Sequence, residues 1–158
     1  MEYLTSLKKY IPGLAGSSYK RIIQLDSQDK HKAHVIAVFV NPTFKYLVAC
    51  TVLSIEVYDL KSGHRVSAHR MNSDILQADF NYFSDFGTIL AVACEDQTIQ
   101  LFEPNELIKL KSINARGDGN AKIQSINVQN GKSAIVGYSN GQAKVFGLKS
   151  SKEEHELK

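Results

Sequence analysis

His31 and His34, three residues apart in the run HKAH, come nearest in this sequence to a metal-ligating pair. A structural zinc site needs four ligands drawn from Cys, His and carboxylates at set spacings. These two histidines lie in a polar connection with no cysteine nearby, and no HExxH pattern carries two imidazoles on one helix face. The other three of the five histidines, His64, His69 and His155, are scattered. Cys50 and Cys94 are the only cysteines and form no CxxC. Their apolar neighbours favour two small buried hydrophobes over a thiolate site, with a disulfide between them left open. Asp26, Asp29, Asp74, Asp85, Asp96 and Asp118 fall mostly where turn chemistry puts them, and no two stand out as a general acid and base. No serine sits in GxSxG, and neither a P-loop nor a dinucleotide fingerprint is present. The run GDGN at 117–120 lacks the repeated carboxylates of a calcium loop and reads as an exposed turn. The residues therefore argue against an enzyme and suggest no catalytic residue, no metal and no cofactor.

What the sequence does contain is a repeated unit. The stretch ILAVACEDQTIQLFEP, residues 89–104, has two apolar runs joined by the polar corner EDQ, as in an antiparallel hairpin. Val48-Ala49-Cys50 lines up with Val92-Ala93-Cys94 and with Val136-Gly137-Tyr138, at 44-residue steps. Ile55, Val57 and Tyr58 line up likewise with Ile99, Leu101 and Phe102, then with Ala143, Val145 and Phe146. A fixed offset over three copies marks a repeat array. On this reading Cys50 and Cys94 occupy matching places in two copies.

Taken in order, 1–18 does not match the repeat. Tyr3, Leu4, Leu7, Tyr10 and Ile11 have near-helical spacing and Pro12-Gly13 would end such a helix, so a short helix or docking arm is expected. Strands are expected at 20–25, 35–40, 46–51 and 54–60; then at 64–68, 75–80, 89–94 and 98–102; then at 107–113, 123–128, 133–138 and 142–148. Asn81 to Gly87 reads as a long turn, and Asn130-Gly131 and Asn140-Gly141 as tight ones. The loop 114–120, NARGDGN, is expected to be exposed. The last ten residues, KSSKEEHELK, are highly charged and expected to be frayed or helical only in part. Successive side chains on a strand point to opposite faces, so Val57 and Tyr58, Leu101 and Phe102, and Val145 and Phe146 need cover on both sides of each sheet. Stacking sheet upon sheet supplies it, and no helical pattern between strands suggests βαβ crossovers.

The stretch ACEDQTIQLFEP resembles the second half of a WD40 repeat. Asp96 stands where that family carries a corner Asp, and Phe102-Glu103 where it carries Trp-Asp. Tyr58-Asp59 matches the same place one copy earlier, and Phe146-Gly147 is the most degraded copy. The family's Gly-His is represented by Ala68-His69 in the second copy and more weakly by His34 in the first. The resemblance implies an all-β chain, a partial β-propeller of about three four-stranded blades over 19–148, flanked by the arm 1–18 and the charged tail 149–158. It also implies that His69 and Asp96 bond within a blade and hold its corner, a role in folding. Val52 at the first corner leaves His34 without such a partner, and Asn140 takes the third. Propellers have typically four to eight blades, so three leave two faces open. Self-association, a different chain or a longer polypeptide would close the ring.

With 158 residues, 43% hydrophobic and 22% charged, the chain has an ordinary globular composition. The apolar runs are too short to span a membrane and 1–16 has no signal-peptide core, which points to an intracellular protein without membrane association. The expected function is a protein-interaction scaffold or structural subunit of a multiprotein assembly, its partners other protein subunits. The alternative is a nucleic-acid-associated subunit, with Lys20, Arg21, Lys32, Arg65 and Arg70 on one basic rim against a phosphate backbone. A net charge of only +3, with the basic residues spread out, supports that weakly.

Overall fold

The computed structural model describes residues 34–41, 45–83, 87–129, 132–148 and 153–157. The expected arm at 1–18, the strand at 20–25 and the residues Lys20, Arg21 and Lys32 lie outside the described residues. Among those described, twelve strands form three antiparallel four-stranded sheets. The first sheet contains β1 (Val35–Val40), β2 (Tyr46–Thr51), β3 (Ser54–Asp59) and β4 (Arg65–Arg70). The second contains β5 (Ile75–Phe83), β6 (Gly87–Cys94), β7 (Thr98–Glu103) and β8 (Ile108–Asn114). The third contains β9 (Ile123–Gln129), β10 (Ser133–Tyr138), β11 (Ala143–Gly147) and β12 (Glu153–Leu157). Within each sheet the strands lie side by side in sequence order.

Two elements differ from expectation. Asn81 is not in a turn: β5 runs on to Phe83, because polar residues alternating with apolar ones, as in ADFNYF, suit a strand with one face against a neighbour. Of the charged tail, the described part is neither frayed nor helical: Glu153–Leu157 pairs with β11, Lys144 opposite Glu156 and Val145 opposite His155. An unpaired β11 edge is a strong template, and it outweighs the weak intrinsic preference of EEHEL. The outer strands of the first two sheets come from the start of the next sequence repeat and that of the third from the tail, which shifts the sheets relative to the repeats.

A third difference concerns register. In the second and third sheets the paired residues keep the 44-residue step, Ala91 opposite Leu101 and Ile135 opposite Val145. In the first sheet Val48 lies opposite Val57 and Cys50 opposite Ile55. The first corner is therefore one residue shorter, four residues between Cys50 and Ile55 against five between Ala93 and Ile99. A one-residue slip exchanges the faces of a strand. Cys50 is thus the counterpart of Ala93, and the two cysteines do not occupy matching places. They point at each other's sheets and share one buried cluster. Both are free thiols, and burial pushes Cys50 up to about 12 and Cys94 up to about 11.

The core consists of two layers between sheets. The front face of the first sheet, Val48, Cys50, Ile55 and Val57, packs with the back face of the second, Leu90, Val92, Cys94 and Phe102. The front face of the second, Ile89, Ala91, Ala93, Ile99 and Leu101, packs with the back face of the third, Ala134, Val136, Tyr138 and Phe146. Strands β1, β5 and β9 meet along the inner side. Phe102 is fully buried in the first layer, with the His69 ring 5.0 Å away. Replacing it by alanine leaves a cavity between two sheets. Phe102→Ala is expected to cost about 3–5 kcal/mol in urea unfolding, and a loss below about 1 kcal/mol would show that this ring does not hold the layer.

Candidate functional site

The residues singled out by the repeat fall into three settings. Tyr58, Phe102 and Phe146 are all buried on the third strand of their sheets. Tyr58 Oη donates to Glu56 Oε2, and Ser54 Oγ donates to Glu56 Oε1 at 3.1 Å. Asp59 closes the turn after β3, where its Oδ1 accepts from the Ser62 amide at 2.6 Å. That amide, then the Ser62 hydroxyl, holds the Asp59 carboxyl below its ordinary range. Glu103 does the same after β7, accepting from the amides of Asn105 and Glu106 at 3.1 and 2.8 Å. In this chain the acidic residue after the aromatic is a turn former.

His69 and Asp96 are not bonded to each other. His69 is on β4 of the first sheet, opposite Ile55, and its ring rests on Phe102 of the second sheet. Asp96 is at the β6–β7 corner, where Oδ1 accepts from the Thr98 amide at 3.0 Å and from its hydroxyl at 2.7 Å. The outer-strand shift explains this: the sequence repeat assigns His69 to the second unit, while hydrogen bonding assigns it to the first sheet. Asn140 makes the same corner in the third sheet, accepting from the Gln142 amide at 3.1 Å. Arg65 and Arg70 stand at opposite ends of β4, about 16 Å apart along an extended strand. Arg65 lies 3.9 Å from the Glu56 carboxylate, and Arg70 is exposed.

The polar groups that join sheets were not singled out by the repeat. At the inner side, Asp79 and Asn81 of β5 hold the main chain of Val128 on β9. The Val128 amide donates to Asp79 Oδ2 at 2.6 Å, and Asn81 Nδ2 donates to the Val128 carbonyl at 3.0 Å. Register fixes the counterparts of this clamp. Asp79 is opposite Ala91 and Asn81 opposite Ile89; Asn127 is opposite Ile135 and Gln129 opposite Ser133. In the first sheet, Phe39 is opposite Val48, and its ring stacks on Phe80 of the second sheet at 5.3 Å. The first junction is aromatic at this point and the second is polar. Their only sequence trace is the i, i+2 pair of polar residues in β5.

The connection 115–122 also bridges sheets. Within the loop 114–120, expected to be exposed, Asn114, Arg116 and Asp118–Asn120 are exposed, while Ala115 and Gly117 are buried and pinned: Tyr138 Oη donates to the Ala115 carbonyl at 2.7 Å, and the Gly117 amide donates to Gln97 Oε1 at 3.1 Å. A side chain at Gly117 would meet the Tyr138 ring at 2.6 Å. Lys144, buried on β11, donates to Asp118 Oδ1 at 2.9 Å. Lys144, then Gln142, holds the Asp118 carboxyl below its ordinary range.

The faces of the sheets are not equally covered. Burial is continuous along β2, β3, β6 and β7 at Val48–Cys50, Ile55–Tyr58, Ile89–Cys94 and Ile99–Phe102, so both faces of those strands are sealed. In the third sheet it alternates: Ala134, Val136, Lys144 and Phe146 are buried, while Ile135, Gly137, Ala143 and Val145 are half-buried. The front face of the third sheet is thus half-buried.

No family model matches this sequence, and neither does any curated protein. Solved structures do. "Structure of U3-55K" superposes with a TM-score of 0.64 at 16% identity, over 82% of this chain and 40% of that one. "Crystal structure of RRP9 WD40 repeats" gives the same values. "Crystal Structure of Mitotic Checkpoint Complex" gives a TM-score of 0.65 at 10% identity, over 83% and 39%. The fold is that of a WD40-repeat propeller segment. The three sheets are blades, and the chain spans about 40% of the length of the structures it resembles. Among the described residues no helix is long and apolar enough to cross a membrane.

Two outcomes test this geometry. Asp79→Ala leaves the buried Val128 amide without its acceptor and is expected to cost about 1–3 kcal/mol, with faster hydrogen exchange at that amide; an unchanged urea midpoint and exchange rate would refute the clamp. The Asp118 carboxyl is depressed in the folded state, so its contribution is present above the unfolded value near about pH 4 and is lost as pH falls through the folded value. Asp118→Asn should therefore lower the urea midpoint at neutral pH and flatten its decline below about pH 4. An acid limb identical to wild type would show that the pair adds nothing.

Proposed function

We propose that this protein is a non-enzymatic interaction scaffold, a structural subunit of a multiprotein assembly that docks partners on its blade faces and rims. The observation that carries this reading is the half-buried front face of the third blade, with Ile135 and Val145 at its centre, in a chain whose first two blades are covered on both faces at their middle strands. A blade face with apolar groups is stabilised when another surface covers it. The polar side chains support the same reading, since they close turns or tie blades together instead of converging on a reacting centre: Asp59, Glu103, Asp96 and Asn140 at corners, Asp79, Asn81 and Lys144 between sheets. One structural neighbour is, by its title, part of a complex. An intracellular assembly agrees with the sequence.

The nucleic-acid reading is less well supported. Arg65 and Arg70 lie at opposite ends of one strand, and Arg65 faces the Glu56 carboxylate, so the two form no single basic rim. The deciding experiment is the native mass of the tagged chain taken from its own cells, before and after nuclease. A stoichiometric protein complex that survives nuclease is the expected result. A lone monomer would overturn the scaffold reading. Nuclease-sensitive, salt-dependent retention on RNA, lost on Arg65→Glu with Arg70→Glu, would favour the alternative.

A further inference from the structure

The first sheet is buried on a face that no described sheet covers. Its front face, Val48, Cys50, Ile55 and Val57, packs on the second sheet. Alternation turns Ala49, Thr51, Glu56 and Tyr58 the other way, and all four are buried as well. Among the described residues no strand of another sheet packs on that back face: β5, which meets β1 and β2, lies on the front side with the rest of the second sheet.

The cover is narrower than a blade. Where one sheet lies on the back of another, it covers the inner strand too: Ala78 and Phe80 of β5 and Ile126 of β9 are half-buried, and Val128 is buried. On the back of the first sheet the inner strand is bare, with Val38 46% and Val40 37% exposed. On the outer strand Ala68, opposite Glu56, is exposed as well. Burial is confined to the two middle strands, a strip roughly 10 Å across. The polar atoms of the strip are satisfied within the sheet. Glu56 accepts from Ser54 and Tyr58, and Ser54 shares a 2.8 Å hydrogen bond with Thr51. Among the described residues no buried side-chain polar atom lacks a partner. A cover therefore needs to bring only apolar surface.

We propose that the segment Tyr3 to Ile11 of this chain seats on that strip as an amphipathic arm. Burial of the strip in a single chain puts the cover in the chain itself. Tyr3, Leu4, Leu7, Tyr10 and Ile11 fall on one side of a helix, and Glu2, Thr5, Ser6, Lys8 and Lys9 fill the other. Such a nine-residue helix is about 13 Å long and about 10 Å wide. The strip matches it, since β3 runs about 14 Å from Ser54 to Tyr58. The chain between Ile11 and Val35 is long enough to cross one sheet, so the arm reaches the strip without a second molecule. With its own arm on one end face, the chain offers partners the other. The inference stands apart from the scaffold reading, because an arm can be seated in a lone monomer.

The test places a benzophenone photo-crosslinker at the exposed Ala68, beside the strip, in the full chain. The expected adduct forms within one molecule, on the segment Tyr3 to Ile11, with a yield independent of protein concentration. Leu4→Glu with Leu7→Glu should lower that yield at least fivefold. The same variant should raise the rate of Tyr58 nitration at least fivefold, while Tyr138, buried between the second and third sheets, keeps its rate. If the variant unfolds and exposes both tyrosines, the adduct of the unaltered arm decides alone. An adduct elsewhere in the chain, on a second copy or on another protein, no adduct at all, or a Tyr58 rate indifferent to the variant would overturn the seated arm.

Discussion

Apolar side chains on both faces of every strand pair are the constraint on which this protein depends. Within a sheet, hydrogen bonds satisfy the backbone of neighbouring strands, but nothing inside the sheet removes Val57 and Tyr58, or Leu101 and Phe102, from water together. Only a neighbour on each side does so. The second blade has one on each side, and both of its layers are built from the same few residue types: small or β-branched groups on the second strand, aliphatic and aromatic groups on the third. The layers are close-packed, so each blade fixes the orientation of the next.

Superimposed on that general adhesion are contacts that differ from junction to junction. The first inner junction is a stack of Phe39 on Phe80, and the second is the grip of Asp79 and Asn81 on the Val128 main chain. Aromatic stacking reads the identity of the partner side chain, whereas the grip reads only the path of a backbone. The third-strand position that faces the preceding blade also changes character at constant burial: Glu56, Gln100 and Lys144. Lys144 has Asp118 and Glu56 has Tyr58 and Ser54, so each charge has its own hydrogen-bonded partner. The blades are alike in fold and individual in their polar contacts.

Much of the fold was legible in the sequence because it depends on short-range periodicity. Alternation and turn residues located β1, β2 and β10 to the residue, and the 44-residue step carried Tyr58 to Phe102 and Phe146. What escaped was whatever depends on hydrogen bonding between distant strands. The single-residue difference at the first corner is invisible in a gapless alignment, yet it turns Cys50 to the opposite face from its apparent counterpart. His69 was assigned by sequence order to the wrong sheet, because an outer strand pairs backwards with the sheet before it. The strand at Glu153–Leu157 is created by its partner β11 and not by its own composition. The clamp residues are 47 and 49 positions from Val128, and only the bare polar pair in β5 hinted at them.

Each sheet is assembled from consecutive strands, so its hydrogen bonds involve only neighbours in sequence. On a ribosome adding about 5–20 residues per second, one sheet follows another after about 2–9 s. During each interval the newest sheet shows water an uncovered apolar face while its cover is still being translated. Birth of this protein is therefore a succession of briefly sticky intermediates, each masked by the next piece to emerge from the exit tunnel.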